Sequence, residues 1–207
     1  LDCETTGKNH RRHRIHQLGL ILFEYTPDGQ VVRVLDRYLG EEDPEAPLPQ
    51  RAPEPGGFIY PYFDEARVLQ MLDGVSIVIA HHAGFDRPFV EKRFPAFSKV
   101  AWGCSWKDID WYRAGMECGK LAYLAAEFGF FYTAHDADQD CEALLEILSR
   151  PLPDHGQTVL KAVLERAAAP MVRIWATGAT GCGGLLADHD YHWGRHSKCH
   201  YKEVPIT

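Results

Sequence analysis

Ile15–Tyr25 reads IHQLGLILFEY, Val31–Leu39 reads VVRVLDRYL, and Asp28-Gly29 stands between them. Two β-compatible apolar runs around an Asp-Gly pair predict a hairpin, because that pair readily takes the left-handed backbone of a tight turn. Leu1-Asp2-Cys3 upstream also reads as strand, so the chain is expected to open on an antiparallel meander. Only Leu1 stands ahead of Asp2, so the first strand looks cut short and the natural protein is expected to begin earlier.

Beyond the meander, residues 40–62 hold prolines and acids without periodicity and read as a loop. Phe63–Leu72 has helical spacing and stops before Gly74. Val75–Ala80 (VSIVIA) is a short apolar run between turns and predicts a buried strand. Phe85–Phe94 predicts a helix with Pro88 in its first turn, and Val100–Cys104 an edge strand. Lys120–Phe128 and Ala137–Leu148 are amphipathic helices. Strands alternating with helices predict an α/β fold, a mixed central sheet flanked by helices on both faces. Pro151-Leu152-Pro153-Asp154-His155-Gly156 marks a boundary. The expected division is a domain over 1–150, a linker with one helix (Thr158–Ala168) over 151–169, and a small α+β module over 170–207.

A chain of 207 residues with 45% hydrophobic content can bury one full core and a modest appendage. It has no apolar run long enough for a bilayer and opens on no basic-then-apolar leader, so a soluble cytoplasmic protein without a membrane partner is expected. Six cysteines at irregular spacings, most within apolar segments, read as reduced thiols. The formal net charge of -7 argues against a protein that coats nucleic acid with a broad basic surface. It does not exclude an enzyme that grips a few nucleotides. The acidity lies in residues 1–150, with 16 Lys+Arg against 24 Asp+Glu, whereas residues 151–207 hold 6 against 5.

Three acidic clusters carry the chemistry. In Asp2-Cys3-Glu4-Thr5-Thr6-Gly7, strand alternation puts Asp2 and Glu4 on one face where the chain leaves the sheet. Like charges so placed repel unless a cation lies between them. Thr5, Thr6 and Gly7 form a turn whose backbone can approach a ligand closely. The second cluster, His82-Ala83-Gly84-Phe85-Asp86, follows VSIVIA, with Asp86 near a helix start where an acid also favours the helix dipole. The third, His135-Asp136-Ala137-Asp138-Gln139-Asp140, opens the helix that continues as CEALLEIL. His135 falls at the mouth of that helix and Asp140 about one turn in.

In this order, Asp-x-Glu-Thr-x-Gly, strand-turn-Phe-Asp and His-x4-Asp resemble the DEDDh family of DnaQ-like 3′→5′ exonucleases over roughly residues 1–149. The resemblance implies a ribonuclease-H-like fold. It also implies two divalent ions, Mg²⁺ or Mn²⁺, on Asp2, Glu4, Asp86 and Asp140, with His135 as general base. It further implies Thr5, Thr6, Gly7, His82 and Phe85 against the substrate. The residue types suit that chemistry. Carboxylate oxygens favour hard cations, two ions can clamp a scissile phosphate, and imidazole ordinarily titrates near neutrality. The implied substrate is a nucleic-acid 3′ end, single-stranded DNA ahead of RNA. Its place in proofreading, repair or RNA trimming is open, as are protein partners. A non-catalytic binding module on the same fold would be expected to have lost a metal ligand, and all five residues are present. Two departures stand out. His82 occupies a place where Asn is usual, and residues 40–62 offer only Gly57-Phe58-Ile59 for the family's Gly-Ile-Thr segment.

Three further segments matter. Lys8–His16 (KNHRRHRIH) is the most basic stretch and follows the first acidic cluster, so it is expected to meet substrate phosphates. Trp106 and Trp111, in the segment Cys104–Trp111, can stack on bases or pack on helices. The tail resembles a small module behind some DnaQ-like exonucleases, through Arg173-Ile174-Trp175-Ala176 and Asp190-Tyr191-His192-Trp193, and is expected to guide single strands. Its Cys182, His189, His192, His196, Cys199 and His200 lack paired Cys-x2-Cys spacing, which leaves zinc the lesser reading.

Overall fold

The computed structural model describes residues 1–43, 45, 62–153, 155–169, 171–189, 191–194 and 197–205, with only the backbone of Met171, Glu203 and Pro205. Strands β1 (Asp2–Thr5), β2 (Ile15–Tyr25) and β3 (Val31–Glu41) form the expected antiparallel meander, in the order β1-β2-β3. Its hairpin turns at Gly29, where φ is 79° and the backbone nitrogen donates to Thr26 O. β3 runs two residues past Leu39, because Glu41 pairs with Gln17 and Glu42 N donates to His16 O. The expected loop over 40–62 therefore begins later. Most of it lies outside the described residues, as does Gly57-Phe58-Ile59.

Helix α1 (Glu65–Leu72) starts after Asp64, whose side chain caps it by accepting from Arg67 N; Phe63 goes into the core instead. β4 (Ile77–Ala80) and β5 (Ala101–Cys104) form a parallel pair, joined by α2 (Ala83–Arg93) and a 3-10 helix at Pro95–Lys99. α2 begins two residues before the predicted start, since the small Ala83 and Gly84 wind directly from His82. This puts Pro88 inside the helix, not in its first turn. α3 (Leu121–Glu127), α4 (Ala137–Ser149) and α5 (Val159–Ala168) follow.

The architecture is mixed α/β. The strands of the first unit form a three-stranded antiparallel sheet and a separate parallel pair where one sheet was expected. The Leu1 nitrogen donates to Ile79 O at 2.9 Å, which ties the end of β1 to β4. Alternate residues of β4 enter different cores. Ile79 joins Leu124, Leu144, Ile147 and Val163, while Val78 joins Leu18, Val68, Phe89 and Phe97. β4 is thus covered on both faces, as a run of continuous apolar residues requires.

The chain divides into Leu1–Ala167 and Ala168–Thr207. Residues 151–167, expected as part of a linker, belong to the first unit. Val159, Leu160 and Val163 are fully buried there, and Thr158 Oγ1 donates to Gly29 O at 2.7 Å. The second unit has β6 (Met171–Ala176), α6 (Gly183–Asp188), β7 (His192–Gly194) and β8 (Cys199–Pro205), with an antiparallel sheet ordered β6-β8-β7. Among the described residues no helix is long and apolar enough to cross a membrane. All six cysteines are free thiols.

Candidate metal centre

Strand register explains how a carboxylate 138 residues downstream reaches Asp2. Asp2 pairs with Gly19 and Glu4 with Gln17, so these four residues share one sheet face. α4 lies on that face. Gln17 Oε1 accepts from Ala137 N at 2.8 Å, and Asp136 caps the helix by accepting from Asp138 N. At Gly19 a Cβ would stand 2.3 Å from Ala137 O. Only a residue without a side chain lets the helix start come this close, and the close approach delivers Asp140 to β1. Gly19→Ala is therefore expected to lift the first turn of α4, destabilising the fold by about 1–3 kcal/mol. Urea midpoints measure that loss; a stability equal to that of the parent protein would remove the role given to the contact.

Among the described residues, Asp2, Glu4 and Asp140 form one group whose ligand atoms all lie within 4.8 Å of one another. Asp140 is held from two sides: Tyr132 Oη donates to its Oδ1 at 2.8 Å and His135 N to its Oδ2 at 2.9 Å. Each oxygen keeps a lone pair for a cation. No sequence motif marks Tyr132. Its position three residues before His135 was the only available signal. His135 has a left-handed backbone, φ 67°, and a side chain 91% exposed, with Nδ1 3.8 Å from Glu4 Oε1.

Asp86 is buried beside the group and not in it. Its Oδ1 accepts from the backbone N–H and the S–H of Cys3, each at 3.3 Å, so it faces the residue between Asp2 and Glu4. Its charge still reaches Asp2. Burial first, then Asp86 and Asp140, push the Asp2 carboxyl up to about 8. Burial raises Asp86 to about 6, with the Cys3 hydrogen bonds opposing. Burial also raises Glu4, against the pull of His135. Repelling carboxylates with only oxygen donors are the environment a hard divalent cation relieves.

These shifts set a pH dependence for the metal-free protein. Between the ordinary 3.8 and about 8, the folded chain keeps a proton on Asp2 that the unfolded chain has released. The unfolded state then binds fewer protons, so this contribution is complete below the ordinary value and is lost as pH rises toward 8. In EDTA, the thermal midpoint is expected to fall more between about pH 5 and about pH 8 for the parent than for Asp2→Asn, and Mn²⁺ is expected to close the gap. Parallel curves for the two proteins in EDTA would contradict it.

The turn after β1 is tied up internally. Thr5 Oγ1 donates to Gly7 O, Thr6 Oγ1 accepts from Arg14 N, and the close approach at Gly7 is to the His13 ring. Lys92 Nζ anchors the basic loop by donating to His10 O and His13 O. His82 stacks on Phe85 and takes the edge of Trp106 at 4.4 Å, leaving Trp106 40% exposed. Trp111 is buried and donates to Ser105 O. An apolar cleft of about 690 Å³ runs beside β2 and β4, and none of the four carboxylates lines it. Among the described residues of the tail, Cys182, His189, His192, Cys199 and His200 form no metal-ligating group; His196 and Asp190 lie outside them. No family model, curated protein or solved structure matches the chain.

Proposed function

We propose that the first unit is a metal-dependent 3′→5′ exonuclease of ribonuclease-H-like architecture, acting on nucleic-acid strand ends, DNA ahead of RNA. The observation that carries this reading is the meeting of Asp2, Glu4 and Asp140 within 4.8 Å, with the His135 imidazole beside Glu4. These residues come from two distant motifs whose types and order match the DEDDh pattern. The donor set fits Mg²⁺ or Mn²⁺, which Asp2, Glu4 and Asp140 would hold, with Asp86 as the fourth carboxylate of the pattern. When bound, such ions activate water and neutralise charge on the phosphate and the leaving oxygen.

The chain's own residues supply the rest. Tyr132 and the His135 backbone fix the Asp140 carboxylate. The exposed His135 side chain is free to take a proton from the attacking water at a ring nitrogen. Phe85 and His82 offer flat rings to a terminal base, and Arg11 and Arg12 of the anchored loop offer charge to the phosphates.

The test is digestion of 5′-labelled single-stranded DNA and matched RNA with Mg²⁺ or Mn²⁺, against EDTA. A ladder shortening from the 3′ end that EDTA abolishes is expected, stronger on DNA. Both strands intact under either metal, with binding retained, would leave a binding module in place of an enzyme.

A further inference from the structure

The apolar cleft of about 690 Å³ lies between two strand edges. One belongs to β2. β1 pairs with it over residues 15–19, and beyond them, among the described residues, β2 pairs on the β3 side alone. The other belongs to β4, whose one partner strand among the described residues is β5. Both ends of the cleft are bridged. At one end the Leu1 nitrogen donates to Ile79 O at 2.9 Å, and at the other the Tyr25 and Ser76 hydroxyls meet at 2.9 Å. β1 runs the same way as β4: Leu1 meets Ile79, and Cys3 meets Asp86, past the end of β4. The bond from Leu1 to Ile79 is thus the first rung of a parallel ladder whose further rungs fall inside the cleft. The register that sets Asp2 against Gly19, continued in the same direction, follows the cleft's other wall. The two remaining sides are apolar and belong to different cores, with Met71 of α1 in one and Leu144 and Leu148 of α4 in the other. Ile21, Leu22, Phe23 and Val75, which line the cleft, are only half-buried.

We propose that the cleft seats one extended apolar strand, the continuation of β1 on the amino side of Leu1, which joins β3-β2-β1 and β4-β5 into one five-stranded sheet. A strand edge presents N–H and C=O groups along its length, and burying them unpaired is costly. A lipid or other alkyl ligand fills the volume and leaves those groups unpaired. A second backbone fills it and pairs both edges at once. The side chains of such a strand alternate between the α1 and α4 sides. Both sides are apolar, so its residues are apolar without alternation. About four residues, roughly 13 Å of strand, run from Leu1 along residues 21–24 of β2. A partner's strand would have to stop against Leu1, whereas the continuation of β1 enters through it, already in register with both walls. The inference does not rest on the exonuclease reading. It makes the four-residue strand that carries Asp2 and Glu4 a longer, central one, held along both edges.

The experiment extends the full chain ahead of Leu1 by about five residues. One protein carries valines and isoleucines there, a second serines and glycines, each behind a pair of lysines for solubility. The apolar extension is expected to raise the thermal midpoint by more than about 5 °C, and the polar one by less than about 1 °C. Hydrogen exchange at the backbone amides of residues 20–24 and 76–79 is expected to slow by about 10-fold or more with the apolar extension alone. Leu72→Glu puts a charge in the cleft and is expected to cancel the gain from the apolar extension while shifting the unextended chain less. Should Leu72→Glu fail to fold, Val75→Glu carries the same test. Equal gains from both extensions, no added protection at those amides, or a gain that survives the charge in the cleft overturns the proposal. The same apolar sequence supplied as a free peptide decides whose strand it is. Protection by the free peptide and none by the fused one assigns the cleft to a partner's strand and overturns the continuation. Protection by the fused one supports it, whether or not the free peptide also binds.

Discussion

Asp140→Asn is expected to abolish the metal-dependent hydrolysis proposed above while leaving the fold in place. The side chain can keep both of its hydrogen bonds. Its oxygen can accept from His135 N, and its amide can donate to the Tyr132 hydroxyl, which accepts as readily as it donates. What disappears is one charge and one anionic donor. Losing a partner behind a metal ligand reduces affinity or activity about 10- to 100-fold, so losing a ligand should exceed about 100-fold. In EDTA the variant should melt at or above the parent midpoint, because one source of repulsion on Asp2 is gone. The stabilisation that Mn²⁺ gives the parent should vanish. A variant that Mn²⁺ stabilises as well as the parent would show that these three carboxylates are not the metal centre.

The largest expected loss of stability comes from the far end of α2. Arg93 reaches Glu42 with Nη2 at 2.8 Å and Nε at 3.1 Å, and its Nη1 pairs with Glu65. The Glu42 side chain is only 2% exposed and that of Arg93 14%. The guanidinium also lies 4.8 Å from the Phe94 ring. One side chain thus joins the last turn of α2, the end of β3 and the first turn of α1. Arg93→Met keeps the stem and leaves Glu42 buried without its partner, which should cost about 3–5 kcal/mol. The double variant with Glu42→Gln should recover much of that, since the expense is an uncompensated charge. Urea denaturation of the single and double variants decides it. A single variant within about 1 kcal/mol of the parent would mean that Glu42 relaxes to water.

The sequence exposed the meander, β4, α4 and the carboxylates on β1, because each of these is a local pattern. The apolar, β-compatible run Ile15–Tyr25 and the Asp-Gly turn need no knowledge of the rest of the chain. Apart from the early start of α2, the failures were non-local. The start of α2 at Ala83 follows from small residues that allow the helix to wind early. Asp86 has its place in the motif, yet nothing in the motif says that Cys3 would engage one of its oxygens. Nor does any local signal link Gly19 to Ala137, Tyr132 to Asp140 or Arg93 to Glu42; those pairings exist only once the elements meet. The extent of the first unit was obscured for the same reason: Pro151–Gly156 looks like a boundary, but Thr158 and Val159 are drawn back to the hairpin and the core.

His135 has a further consequence. Its left-handed backbone strains a side-chain-bearing residue by about 1 kcal/mol, and its exposed ring gives almost no packing in return. Glycine or asparagine would fit that backbone with less strain. Selection for heat tolerance alone should therefore replace His135 early, and selection for digestion of strand ends should bring the imidazole back. A library screened under both pressures would see the same position pulled in opposite directions.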